Sequence, residues 1–243
     1  MRRPRWVAIA GVVLAASACR GGGSPASPAS PSEAAPSNLE SIFNFTLSDP
    51  SGDQERAPQE APPVLVAHPS ADVTSVRLGM SGQFLYVDVT FAAPMPNGPV
   101  TIPAQSGMPQ QFVREQGISI DMNVDGNIQT GASAFPVIQG IDIFFAIQST
   151  YGKASLAYAN YDFANGDVHQ QRGHLDGVML QSSAANHVTA RYDVSSLGNF
   201  FPRGASVVVG GWAEAESSDA AEKTLYHHFA YDPYASATWT IPR

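Results

Sequence analysis

Between Val73 and Ile241 the chain repeats one signal: short runs of alternating apolar and polar residues, cut by Gly, Asn, Asp and Ser. Leu85, Val87, Val89 and Phe91 alternate with Tyr86, Asp88 and Thr90. Thr74, Val76, Leu78 and Met80 form one face of the preceding run, and Ser81-Gly82-Gln83 is the turn between them. A period of two puts successive side chains on opposite faces of a strand, so each run needs another layer to cover its apolar face. No stretch of useful length keeps a helical period. The single cysteine, Cys19, rules out an intrachain disulfide, so packing alone must hold the strands together. These features predict an all-β domain, a sandwich or a barrel.

Taken in order, Ser41–Leu47 reads as a first strand, Asp49-Pro50-Ser51-Gly52-Asp53 as a turn, and the segment to Pro63 as a polar loop. Residues 93–112 contain Pro94, Pro96, Pro99, Pro103 and Pro109 and read as a long loop: a lid, a binding edge or a tolerated insertion. Ile141–Ile147 is apolar on both faces, as a central strand should be. Ala154–Tyr161 and Val168–His174 form a hairpin closed through Asn165-Gly166. Val188, Ala190, Tyr192 and Val194 alternate. Val207-Val208-Val209 leads into Trp212, Glu214–Glu222 reads as an acidic turn, and Leu225–Tyr231 and Thr238–Ile241 close the chain.

The N-terminus carries an address. Arg2, Arg3 and Arg5 precede the apolar run Trp6–Leu14, which is too short to span a bilayer. Ala15-Ala16-Ser17-Ala18 then lead directly to Cys19. This arrangement resembles the lipobox of bacterial lipoproteins, with Ala16 where Leu is usual. The resemblance implies cleavage before Cys19, lipidation of Cys19, and export to the extracytoplasmic side of the cell envelope, anchored to the membrane. An ordinary secretory signal is the alternative. Residues 1–18 are thus expected to be a signal peptide and 19–39 a lipid-anchored Pro/Ser/Ala tether without a core of its own, with the folded domain over 40–243. The net charge of −8 becomes more negative once the leader's arginines are lost, which argues against a nucleic-acid partner.

The richest chemistry lies in Gly117–Gly131. The apolar pair Ile118 and Ile120 gives way to Asp121, Asn123, Asp125 and Asn127, an oxygen-bearing side chain at every second position, with Gly126 allowing a sharp bend. Such spacing can point several oxygens at one hard cation, calcium above all. Counted as an EF-hand from Asp121, the twelfth position is Ala132 instead of a bidentate Glu, and the flanks are strand-like, so an EF-hand is excluded. A missing carboxylate would come from Asp142; Asp49, Asp53 and Asp72 could join the same site or form a second. An Asx-type turn bonded to its own backbone is the alternative.

Four pieces in order carry a second resemblance: Asp49-Pro50-Ser51-Gly52-Asp53, Ala71-Asp72-Val73-Thr74-Ser75-Val76, Gly82-Gln83-Phe84-Leu85-Tyr86-Val87, and Ile120-Asp121-Met122-Asn123 to Thr130-Gly131. Together they resemble the extracytoplasmic β-sandwich domains related to family 9 carbohydrate-binding modules and DOMON domains, over roughly residues 45 to 145. The resemblance implies a two-sheet antiparallel jelly-roll-like sandwich, structural calcium and, in its sugar-binding members, stacking tryptophans. The candidates for that role here are Trp212 and Trp239. Asn123 stands where those loops carry a second Asp.

No Gly-x-Ser-x-Gly, His-Glu-x-x-His or phosphate-cradling glycine motif occurs. His169 with His174, and the adjacent His227 and His228, lack zinc-site spacing. Three functions stay open from the sequence: a non-catalytic anchored binding protein with carbohydrate or another ligand as partner, a hydrolase of an envelope or extracellular polymer, and a structural lipoprotein working through envelope proteins.

Overall fold

The computed structural model describes residues 32–54, 71–94, 96, 98, 100–104, 110–134, 138–150, 155–165, 169–181, 186–219 and 225–243. Cys19, the leader and the tether up to residue 31 lie outside the described residues, as does most of the turn after Asn165.

The protein is all-β. Its strands are β1 (Ser32–Ala34), β2 (Phe43–Ser48), β3 (Val73–Ser81), β4 (Phe84–Phe91), β5 (Val100–Ile102), β6 (Gln111–Asn123), β7 (Ala132–Ala134) and β8 (Ile138–Ile141). They continue as β9 (Ile143–Thr150), β10 (Ser155–Asn165), β11 (His169–Gln181), β12 (His187–Asp193), β13 (Ser206–Asp219) and β14 (Leu225–Thr240). The main hydrogen-bonded path runs β14-β13-β6-β9-β10-β11-β12-β4-β3-β2, and β7 pairs separately with β8. Every pairing on that path is antiparallel. β11 serves two neighbourhoods: His169–Asp176 pair with β10, and Gly177–Leu180 pair with β12.

The path comes back on itself. Trp239 of β14 donates from Nε1 to Asn44 Oδ1 of β2 at 3.2 Å, and its ring centroid lies 6.0 Å from that of Phe45. The sheet is therefore nearly closed, and a single core fills it. Val76, Leu78, Leu85, Val87, Ile120 and Phe145 are among its fully enclosed members. Tyr192 is buried with them because its hydroxyl donates to the Ala146 carbonyl at 2.9 Å, while its ring meets Phe145 edge-on at 4.9 Å.

Several expectations change. Leu39–Ile42 is a helical turn, α1, and the strand begins only at Phe43. Ser41 donates from both its backbone N and its Oγ to the Asn38 carbonyl, at 3.0 and 2.7 Å, so local polar bonds win over the ladder there. Within the stretch read as tether, Ser32–Ala34 form β1 parallel to Met179–Gln181. The 93–112 segment is not all loop, since β5 pairs with Gln111–Val113. Ile141–Ile147 is interrupted at Asp142, which separates β8 from β9. Glu214–Asp219 continue β13 instead of turning, paired with β6, because alternating small and charged residues satisfy a period of two as well as apolar ones do. The last two segments merge into β14, and Pro233 is tolerated there because β14 ends the hydrogen-bonded path.

Candidate metal centre

β6 alternates as its sequence requires. Ile118, Ile120 and Met122 enter the core. Ser119, Asp121 and Asn123 point to the opposite face, yet they too are buried, at 1%, 1% and 3% exposure. β8 packs against β6 and meets it at Asn123. Asn123 Nδ2 donates to the Gln139 carbonyl at 3.0 Å. The approach is close enough that Gly140 has to be glycine. A Cβ there would lie 2.7 Å from Asn123 Nδ2 and 2.4 Å from the Asn127 carbonyl oxygen, and its φ is +72°.

Asp121 is the anomaly of the site. One carboxylate oxygen accepts from Ser119 Oγ at 2.6 Å, and Oδ2 has no hydrogen-bond partner among the described residues although it is buried. Burial pushes the carboxyl up to about 7, against the opposing pull of the Ser119 hydrogen bond. A buried carboxylate with an orphaned oxygen is costly unless a cation or proton sits on it.

Beyond Asn123 the chain closes as a series of Asx turns. Asn123 Oδ1 accepts from Gly126 N at 2.7 Å, Asp125 Oδ1 from Asn127 N at 2.7 Å, and Asn127 Oδ1 from Gln129 N at 3.0 Å. Thr130 Oγ1 donates to Asp125 Oδ2 at 2.9 Å. Asp142, in the break between β8 and β9, reaches across: its Oδ2 accepts from Val124 N at 2.7 Å and Asp125 N at 3.2 Å. Asp142 therefore reaches the 121–127 loop through the amides of Val124 and Asp125.

Asp49, Asp53 and Asp72 lie elsewhere. β2 starts beside Trp239, on the side of the sheet where Val208 pairs with Asn123, and runs away from it. Asp49 follows its last residue, roughly 17 Å farther along at about 3.3 Å per residue. There Asp72 Oδ2 accepts from Gly52 N at 2.7 Å. Burial raises the Asp72 carboxyl, the Gly52 hydrogen bond opposes this, and the charge of Asp53 adds to the rise. These three residues form a second acidic corner and cannot complete the first.

Among the described residues, no three His, Cys, Asp or Glu side chains converge as a metal site. The donors at the Asp121 rim are a mixture of Asp carboxylates, Asn amides and backbone carbonyls, which is oxygen chemistry suited to a hard cation. Their turn hydrogen bonds do not exhaust them, because an ionised carboxylate offers about four acceptor positions.

Trp239 is a core residue at 2% exposure and presents no face to a ligand, which corrects its candidacy as a stacking platform. Trp212 is half-buried in β13, between Ser119 of β6 and Pro233 of β14. Among the described residues, an aromatic pair that reaches the outside is Tyr158 stacked on His174, with centroids 5.6 Å apart. His174 also contacts Asn160 Oδ1 at 2.8 Å and Asp176 Oδ1 at 3.3 Å. Sequence spacing alone misses this cluster, since its members face one another only through the β10–β11 register. No known protein family, curated protein or solved structure matches the chain.

Proposed function

We propose that this chain is an exported, lipid-anchored binding protein of the bacterial cell envelope, non-catalytic, in which a structural calcium-type cation braces the Asp121 rim. The observation that carries the cation is the buried, unpartnered Oδ2 of Asp121 beside the Asx-turn loop. The residues that would hold it are Asp121, Asn123, Asp125, Asn127 and Asp142. The cation supplies positive charge where burial otherwise resists the carboxylate, and holds the loop to β6 and β9. The anchor rests on the lipobox-like approach to Cys19. The test joins two readouts. Calcium should raise the melting temperature, EDTA should reverse this, and Asp121→Ala and Asp125→Ala should each abolish it. Cys19→Ser should move the protein from the membrane to the soluble extracytoplasmic fraction. An unchanged melt removes the cation, and an unchanged fractionation removes the anchor.

A carbohydrate ligand is the second reading, favoured by the Tyr158–His174 stack flanked by Asn160 and Asp176 on the outer face of the sheet. An aromatic face with adjacent amide and carboxylate groups suits a sugar ring and its hydroxyls. Loss of oligosaccharide retention in Tyr158→Ala, with the melting temperature preserved, would support it; no retention by the unaltered protein would remove it.

A further inference from the structure

The outer face of the sheet carries a second apolar cluster, separate from the core, and the N-terminal segment covers it. Tyr86 of β4 and Leu180 of β11 are buried there against Ile42, with Leu39, Phe43 and Phe84 packed around them. The covering segment has little of its own to hold it: three residues of β1, one helical turn, and a connection through Pro36. Ile42 and Leu39 hold it through apolar burial, and two ion pairs add to this. Glu33 Oε1 meets Arg191 Nη1 at 2.8 Å, and Glu40 Oε2 meets Arg77 Nη1 at 2.6 Å. Both arginines are fixed from below. Arg77 donates to the buried Asp88 at 2.9 and 2.7 Å, and Arg191 lies 4.4 Å over the Phe84 ring. Asp88 in turn accepts from Thr189 Oγ1 at 2.7 Å. The basic groups therefore belong to the sheet, and the acidic groups to the segment.

Two features shape the slot to the segment's backbone. The backbone of β11 at Met179–Gln181 offers an open edge beyond the end of the β10 pairing, and β1 fills it in parallel register. At the other end, Gly79 forms a notch: a Cβ there would lie 2.1 Å from the Ile42 carbonyl oxygen and 2.8 Å from Phe43 Cα.

We propose that this slot, formed by the β11 edge, the Tyr86–Leu180 patch and the Arg77 and Arg191 guanidinium groups, is a docking surface for an acidic peptide segment that adds a short strand and then a helical turn, which residues 32–42 occupy as a detachable strap. Strand addition at the edge supplies affinity, and the two arginines select acidic residues at the Glu33 and Glu40 positions. Strap and incoming segment compete for the same groups, so weakening the strap's ion pairs shifts the competition toward the incoming segment. This inference is independent of the cation and of the sugar.

The test uses the full chain and a labelled peptide of residues 31–41, which stops short of the Gly79 notch. Two chain variants loosen the strap differently: Glu33→Gln with Glu40→Gln removes its charges, and Gly79→Ala lifts it sterically. Hydrogen exchange over 32–42 should rise in both, with the core amides unchanged. The peptide should bind the Glu33→Gln, Glu40→Gln chain about tenfold more tightly than the unaltered chain, as two lost ion pairs would give, and should also bind Gly79→Ala more tightly than the unaltered chain. A peptide with Gln at both acidic positions should bind about tenfold more weakly than the natural one. Failure of exchange to rise, absence of peptide binding to every chain, or equal binding of acidic and Gln peptides would each overturn the proposal.

Discussion

Replacing Asp121 by Asn isolates the charge that the rim has to accommodate. The side chain keeps its size and can still accept from Ser119 Oγ. In the folded protein without a cation, burial holds the carboxyl near 7, against an ordinary value of 3.8. Between these values the folded state keeps a proton that the unfolded chain releases, so stability falls as pH rises through the interval and levels off above about 7. At 1.36 kcal/mol per pH unit, the interval corresponds to about 4 kcal/mol. Asp121→Asn cannot ionise and escapes that loss. Urea denaturation in EDTA should therefore show a stability difference, variant minus natural chain, that grows by about 4 kcal/mol between pH 4 and pH 8. Saturating calcium should flatten the natural chain's dependence, because a cation on the carboxylate favours its charged form. A difference that stays constant with pH in EDTA would refute the reasoning, since burial would then impose no cost on the charge.

Asp142→Ala removes the acceptor for Val124 N and Asp125 N, and denaturant melts should show a loss of about 1–3 kcal/mol. Gly140→Ala forces a Cβ into Asn123 and the 127–128 backbone at positive φ; its melting temperature should fall, and any calcium response should weaken with it. Tyr192→Phe loses only the bond to the Ala146 carbonyl, costing about 1 kcal/mol in the same assay without altering the near-ultraviolet spectrum of the other aromatic residues. Ile120→Ala opens a cavity at a fully buried core position and should cost about 2–5 kcal/mol.

The strands with clean alternation were legible from sequence. Leu85, Val87, Val89 and Phe91 are all buried, as are Val188, Ala190, Tyr192 and Val194. The Asp121 loop was legible as an oxygen-rich turn, and its link to Asp142 followed from a carboxylate placed at the next strand's entrance. Other features depend on tertiary pairing. Glu214–Asp219 carry charges that suggest a turn, yet both neighbouring strands offer ladder bonds that outweigh that preference. Asp49, Asp53 and Asp72 look like partners of Asp121 in composition, but the direction of β2 carries them to the other end of the sheet. Trp239 in the terminal strand reads equally as core or ligand-facing, and the meeting of β14 with β2 encloses it. The strap lies in a Pro- and Ser-containing stretch with no strand signal, and its contacts are with residues more than a hundred positions away as well as near ones.

Calcium titration calorimetry on the folded chain at pH 7.5, after EDTA treatment, tests the cation-braced rim most directly. One calcium per chain should bind, Asp121→Ala and Asp125→Ala should each remove the binding heat, and Asp49→Ala should leave it intact. No binding heat from the natural chain, or a heat that survives Asp121→Ala but disappears with Asp49→Ala, would contradict the account.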